Sequence, residues 1–216
     1  SKIPQAITDL IKSAQKNGVE SLNLDARSYP CAKYFEKNKF TKIPDEIFKI
    51  TTLKHLDISN HELHDLPAEK LQQLGLKTLN ITFNPLEVIP DIPGLIIDGQ
   101  QYLRNFKNLS RENITGLECS ELTPEELTNV LQSLCEKGHT HLRSLRISQT
   151  PLNTIPEAVF ELSQLTTLEL INCQLTSLTE GISALSQLTK LNLDSNQLTT
   201  LHESISSLNQ LTMLNL

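Results

Sequence analysis

Two histidine pairs, His61-Glu-Leu-His64 and His139-Thr-His141, invite a metal-binding reading. A metal site needs a third or fourth ligand at a spacing the local structure can deliver, and neither pair has one. Ser195 and Cys135 are the residues to weigh as nucleophiles, and neither sits in a His–acid pattern that would activate it. Cys31, Cys119, Cys135 and Cys173 lie far apart with no CxxC spacing. They read as free thiols in a reducing, cytoplasmic compartment. No Gly-rich phosphate loop occurs. The expectation is no catalytic residue, no metal, no cofactor and no small-molecule substrate.

Charge and hydropathy narrow the field further. Lys and Arg number 19 against 25 Asp and Glu, a net charge of −6. Nucleic-acid binding wants a concentrated basic surface, so nucleic acid is not an expected partner. No apolar run approaches the roughly 18 residues that would span a bilayer, and the opening residues lead us to expect no signal peptide. Aromatics are 4% and Trp is absent, so the core must be aliphatic. Asn80, Asn108 and Asn113 open N-x-S/T triplets, a match short enough to arise by chance.

The elements that must carry any site announce themselves as a repeat. The segments LKHLDISNHEL, LKTLNITFNPL, LRSLRISQTPL, LTTLELINCQL and LTKLNLDSNQL share one frame, and LTMLNL closes the chain as a truncated copy. Starts at Leu53 and Leu76 are 23 residues apart, as are those at Leu142, Leu165, Leu188 and Leu211. In x-L-x-L the leucines point inward from a short strand while the residues between face solvent. The Asn-like position after the strand hydrogen-bonds neighbouring backbone from turn to turn. Asn84 and Asn196 hold it; His61, Thr150 and Cys173 replace it elsewhere.

Between Leu76 and Leu142 the period breaks. Ile92 and Ile114 fit the frame with a 16-residue unit before the first and a 28-residue unit after the second. That longer unit carries a well-signalled helix. Thr123-Pro124-Glu125-Glu126 offers an N-cap, a first-turn proline and a capping box; Leu127, Val130, Leu131 and Leu134 form one apolar face, and Gly138 is placed to end it. A similar face, Ile7, Leu10, Ile11 and Ala14, ends at Gly18. Residues 1–18 are therefore expected to form a capping helix and 19–216 the repeat array, with irregular units over 92–141. The first unit, from Val19, runs 34 residues to Leu53, and its excess places an extended loop near residues 28–39.

This repeat resembles the leucine-rich-repeat consensus. The resemblance implies an α/β solenoid, a horseshoe with a parallel inner sheet, built from 23-residue units and one 28-residue helix-backed unit. Nine strand starts stack at about 4.8 Å each, so the inner sheet should run roughly 40 Å. The short and long units should bend it irregularly between residues 92 and 142. Cys173 then reads as a ladder residue, since the consensus admits Cys there.

The fixed frame lists the residues that face outward from the strands. Most are small or polar, which suits recognition of a folded protein, with the few larger ones as anchors. The expected protein-binding residues are His55, Asp57, Asn80, Phe83, Arg146, Glu169, Ile171, Lys190 and Asn192. The loop residues Tyr34 and Phe35, set among Lys33, Lys37 and Lys39, form a competing grip for an acidic partner. Arg146 and Glu169 fall in one column, which leaves open a mutual ion pair or contact with a partner. Phe83 and Ile171 could instead cover the ends of the leucine core.

The I-P-x-x-I repeats, the inserted longer unit and the Asn/Lys/Ile-rich composition look like the repeat-only effectors that intracellular bacteria deliver into host cells. That resemblance implies a protein partner, either a host protein or another effector, and action in the host cytosol. Other family members join the repeats to a ubiquitin-ligase, GTPase or kinase domain, and Leu216 stops in mid-repeat. The alternative expectation is therefore the substrate-recognition half of a larger enzyme. Ile43-Pro44-Asp45-Glu46-Ile47 also resembles the opening of an F-box, but the repeat demands the same residues, as Ile155-Pro156-Glu157 shows.

Overall fold

The computed structural model describes residues 2–216. The chain divides into two compact units: residues up to Ile97 with Arg104–Asn113, and Asp98–Leu103 with Ile114–Leu216.

In the first unit, helix α1 (Gln5–Asn17) buries Ile7, Ile11 and Ala14 and ends at Gly18, whose left-handed backbone lets Val19 N–H return to the Ala14 carbonyl. Strands β1 (Ser21–Asn23), β2 (His55–Asp57), β3 (Thr78–Asn80) and β4 (Leu95–Asp98) follow, with short helices α2 (Ala32–Phe35) after β1 and α3 (Ala68–Leu74) after β2. The strands pair in parallel, Ser21 beside His55, His55 beside Thr78 and Leu79 beside Leu95. Leu22, Leu56, Leu79 and Leu95 are thereby stacked inward, with Leu24, Ile58, Ile81 and Ile97 in the next column. Gly94 is required where it stands. Its φ is +83°, and a Cβ there would lie 2.4 Å from the Lys77 carbonyl oxygen.

The second unit repeats the scheme. Helix α4 (Gly99–Asn105) crosses the division, and strands β5 (Ile114–Ser120), β6 (Ser144–Ser148), β7 (Thr167–Ile171), β8 (Lys190–Asn192) and β9 (Met213–Asn215) run parallel in register. Leu117, Leu145, Leu168 and Leu191 form one buried column; Cys119, Ile147, Leu170 and Leu193 form the other. Helix α5 (Pro124–Glu136) joins β5 to β6, and its capping box is complete: Thr123 Oγ1 accepts from Glu126 N–H at 3.1 Å, while Thr123 N–H donates to the Glu126 carboxylate at 2.9 Å. Its apolar face (Leu127, Val130, Leu131, Leu134) is buried. The later units are backed by 3₁₀ turns, Glu157–Glu161 and Glu180–Ala184, which bury only Val159 and Ile182. A parallel crossover this short has room for one turn, which adds one buried apolar side chain to those that flank it, Ile155 and Leu162 or Leu178 and Leu185.

Candidate protein-binding faces

Strands β2, β3, β6, β7 and β8 end in turns that the ladder residues hold. The Asn196 amide donates to the Leu170 and Leu193 carbonyls (2.6 and 2.8 Å) and accepts from Cys173 and Leu175 N–H (3.0 and 3.1 Å). Asn84 does the same with Ile58, Ile81 and Leu63. His61 takes the role with its ring: Nδ1 accepts from Phe40 N–H at 3.0 Å and Nε2 donates to the Leu24 carbonyl at 2.6 Å. Cys173 Sγ reaches the Ile147 and Ile171 carbonyls, both at 3.4 Å. The residue before each ladder position takes a left-handed backbone, as at Asn60, Phe83, Gln149, Asn172 and Ser195. Phe83, with φ +58°, is the bulky member of that set, and its ring is half-buried.

Contacts within the chain engage several of the histidines and cysteines. Both His61 nitrogens are occupied, and His64 is exposed. His139 is buried with Nδ1 2.8 Å from the Tyr102 hydroxyl, whereas His141 is exposed. Among the described residues no group of three His, Cys, Asp or Glu is placed to hold a metal ion. All four cysteines are free. Burial pushes the Cys119 thiol up to about 12 and Cys135 up to about 11, the latter with help from Glu161, and raises Cys31 and Cys173 as well. Such thiols are protonated at neutral pH and are poor nucleophiles.

On the second unit, β6, β7 and β8 bring together five of the expected binding residues. Arg146 is exposed, standing in register between Glu118 and Glu169. Glu169 is half-buried and receives Lys190 Nζ at 3.3 Å. Arg146 itself has no carboxylate within ion-pair distance among the described residues. Ile171 lies half-exposed at the end of β7, beside Ser148. Asn192 spends its side-chain oxygen on Asp194 N–H at 3.0 Å.

On the first unit, His55 is exposed and its Nδ1 lies 2.8 Å from Thr78 Oγ1. Asp57 and Asn80 turn back on their own strand ends: Asp57 accepts from Ser59 N–H (2.9 Å) and Oγ (2.6 Å), and Asn80 from Thr82 N–H (3.1 Å) and Oγ1 (2.8 Å). Burial raises the Asp57 carboxyl above its ordinary value and the charge of Asp25 adds to it, against the lowering hydrogen bonds from Ser59. Asp57, Asn80 and Asn192 are thus turn residues as well as surface residues. Their signal was present as Asx-x-Ser/Thr/Asp at the end of each strand: Asp57-Ile-Ser59, Asn80-Ile-Thr82, Asn192-Leu-Asp194.

Phe35, expected on the surface, is not a surface residue here. Its side chain is fully buried, edge-on to Phe40 (4.9 Å) and to the His61 ring (4.5 Å), because α2 turns it under the chain and into the core. Tyr34 remains half-exposed with Lys33 Nζ 4.8 Å from its ring centre, and Tyr29, 93% exposed, is the aromatic that this segment offers to solvent.

The family comparison agrees with the fold. A family model described as leucine rich repeat matches residues 140–198 and 163–216. Mouse lumican is 26% identical over 144 residues, 64% of this chain and 38% of lumican. A probable serine/threonine-protein kinase of Dictyostelium discoideum, pats1, is 29% identical over 142 residues, 63% of this chain and 4% of the kinase. The chain therefore spans well under half the length of these relatives. A solved Leptospira interrogans leucine-rich-repeat protein aligns over 95% of this chain and 57% of its own, at 23% identity and a TM-score of 0.45. No helix among the described residues is long and apolar enough to cross a membrane. The paired columns of inward leucines, the parallel strands and the matched repeats support the leucine-rich-repeat family for this chain, whose fold is an α/β leucine-rich-repeat solenoid.

Proposed function

We propose that the chain is a protein-binding module that engages its partner through the outward strand face of β6, β7 and β8. The observation that carries this is Arg146, an exposed guanidinium with no ion pair among the described residues, beside a Glu169 already taken by Lys190. Arg presents a planar fork that suits a carboxylate, and it is enriched at binding hot spots. Ile171 supplies an apolar contact at the end of the next strand. The strands are hydrogen-bonded to their neighbours, so binding there orders little chain. On the first unit, His55 and Phe83 form a second surface of the same kind. Phe83 holds a backbone conformation that a bulky residue adopts at a cost of about 1–3 kcal/mol.

The repeat pattern and the four free thiols favour an effector-like protein that acts in a reducing cytosol on a host protein or another effector. A second reading, the recognition part of a larger enzyme, draws on the pats1 match, which lies within 4% of a protein named as a kinase.

A photo-crosslinking residue in place of Thr167, on the strand face, tests the site against one in place of Ser186, an exposed residue just after the backing turn Glu180–Ala184. The expected result is a partner captured at position 167 and lost with Arg146→Glu. Capture from position 186 alone would sink the assignment.

A further inference from the structure

His61 is the ladder residue that can change charge in mild acid. Asn84, Asn196, Thr150 and Cys173 hold the equivalent turns with groups that do not gain a proton there. The His61 ring is 3% exposed and both its nitrogens are committed. Because Nδ1 accepts from Phe40 N–H, it carries a lone pair; because Nε2 faces the Leu24 carbonyl, it carries the proton. The ring is neutral, and one tautomer is fixed.

The same ring organises an aromatic cluster. Phe40 stacks on it at 4.4 Å with an interplanar angle of 16°, and Phe35 meets it edge-on at 4.5 Å. Phe40 is fastened through both backbone groups, its N–H on His61 and its carbonyl accepting from Glu62 N–H at 2.9 Å. Three charged groups act on the imidazole. Burial lowers its pKa and outweighs the hydrogen bond to the Leu24 carbonyl and the charges of Asp25 and Glu62, which favour the cation; Lys39 acts in the same direction as burial.

We propose that His61 is an acid-sensitive clasp on the segment of residues 28–40: a proton from solvent taken up at Nδ1 turns the acceptor of Phe40 N–H into a donor. The hydrogen bond is then lost, two donors face each other in a buried site, and the segment lets go at Phe40. Opening uncovers the rings of Phe35 and Phe40 and moves the exposed Tyr29 and Lys37 with the chain. The sign follows from linkage. A histidine whose pKa is lowered on folding stabilises the folded form fully above its ordinary value, and loses that contribution as the pH falls below it. The clasp is closed at neutral pH and opens on acidification.

Amide hydrogen exchange between pH 7 and pH 5, corrected for intrinsic rates, tests this on the intact chain. Protection at Phe40 should fall by up to about tenfold per pH unit below the ordinary imidazole value. Protection in β7 and β8 should hold. His61→Asn keeps a donor and an acceptor and cannot titrate, so its Phe40 protection should stay level across the same range. Nitrogen NMR of the wild-type ring should show the Nε2–H tautomer and a titration below the ordinary value. An Nδ1–H tautomer, an ordinary titration with unchanged Phe40 exchange, or the same acid loss in His61→Asn each overturns the proposal. The wild-type titration decides alone if the variant fails to fold.

Discussion

Glu169 gives its carboxylate to Lys190, 3.3 Å away and diagonally across β7 and β8, and leaves its direct register neighbour Arg146 to solvent. Half-exposed pairs of this kind contribute little, under about 1 kcal/mol. Lys190→Ala should therefore shift the urea midpoint only slightly. Arg146→Glu should also stay within about 1 kcal/mol of wild type, although it sets three carboxylates in one row with Glu118 and Glu169. The two variants should differ in binding: Arg146→Glu should weaken the complex by about fivefold or more, read by calorimetry once a partner is in hand. A large stability loss in Arg146→Glu would mean the guanidinium serves the fold.

Leu168→Ala removes a fully buried inward leucine of β7 and should cost about 2–5 kcal/mol. Repeat arrays respond through nearest neighbours. Hydrogen exchange should therefore show protection lost first in β6, β7 and β8. Equal loss at β1 and β2 would contradict repeat-wise stability.

Asn196→Ala strips the N–H groups of Cys173 and Leu175 and the carbonyls of Leu170 and Leu193 of one shared partner. Leaving such groups unpaired costs about 1–3 kcal/mol, to be read from urea unfolding. The far-ultraviolet spectrum should be unchanged, because the strands keep their own ladder.

Two glycines separate backbone strain from collision. Gly75 has φ +64° and open space around it, so Gly75→Ala should cost about 1 kcal/mol. Gly94→Ala adds contact with the Lys77 carbonyl and should cost at least about 2 kcal/mol. Equal thermal shifts for the two would show that the chain yields at Gly94 without penalty.

The parts of the fold that were legible in the sequence are those with a period. The leucine columns, the register that sets His55 beside Thr78 and Thr167 beside Lys190, and the ladder roles of His61 and Cys173 all follow from one repeating frame. The helix of the longer unit was readable for another reason, a local capping box that needs no neighbours. Phe35 was not readable, since a lone aromatic in a segment without periodicity gives no clue to which side it turns. The Glu169 partner was hidden too. Register fixes where the backbone of a residue lies, but the reach of a long side chain is decided by rotamers and by competing charges. The turn duty of Asp57, Asn80 and Asn192 was written in the sequence, in residues that also satisfy the surface pattern.

That turn duty has a consequence for how such a surface can be rewritten. Along β6 to β8 the outward positions form a grid, with rows about 4.8 Å apart and two side chains per strand. Where Asn192 occupies the later column, changing it also loosens the turn behind it. The earlier column, Ser144, Thr167 and Lys190, carries no such duty in the turns. It is where natural drift or a designed library can exchange specificity while the scaffold stays the same.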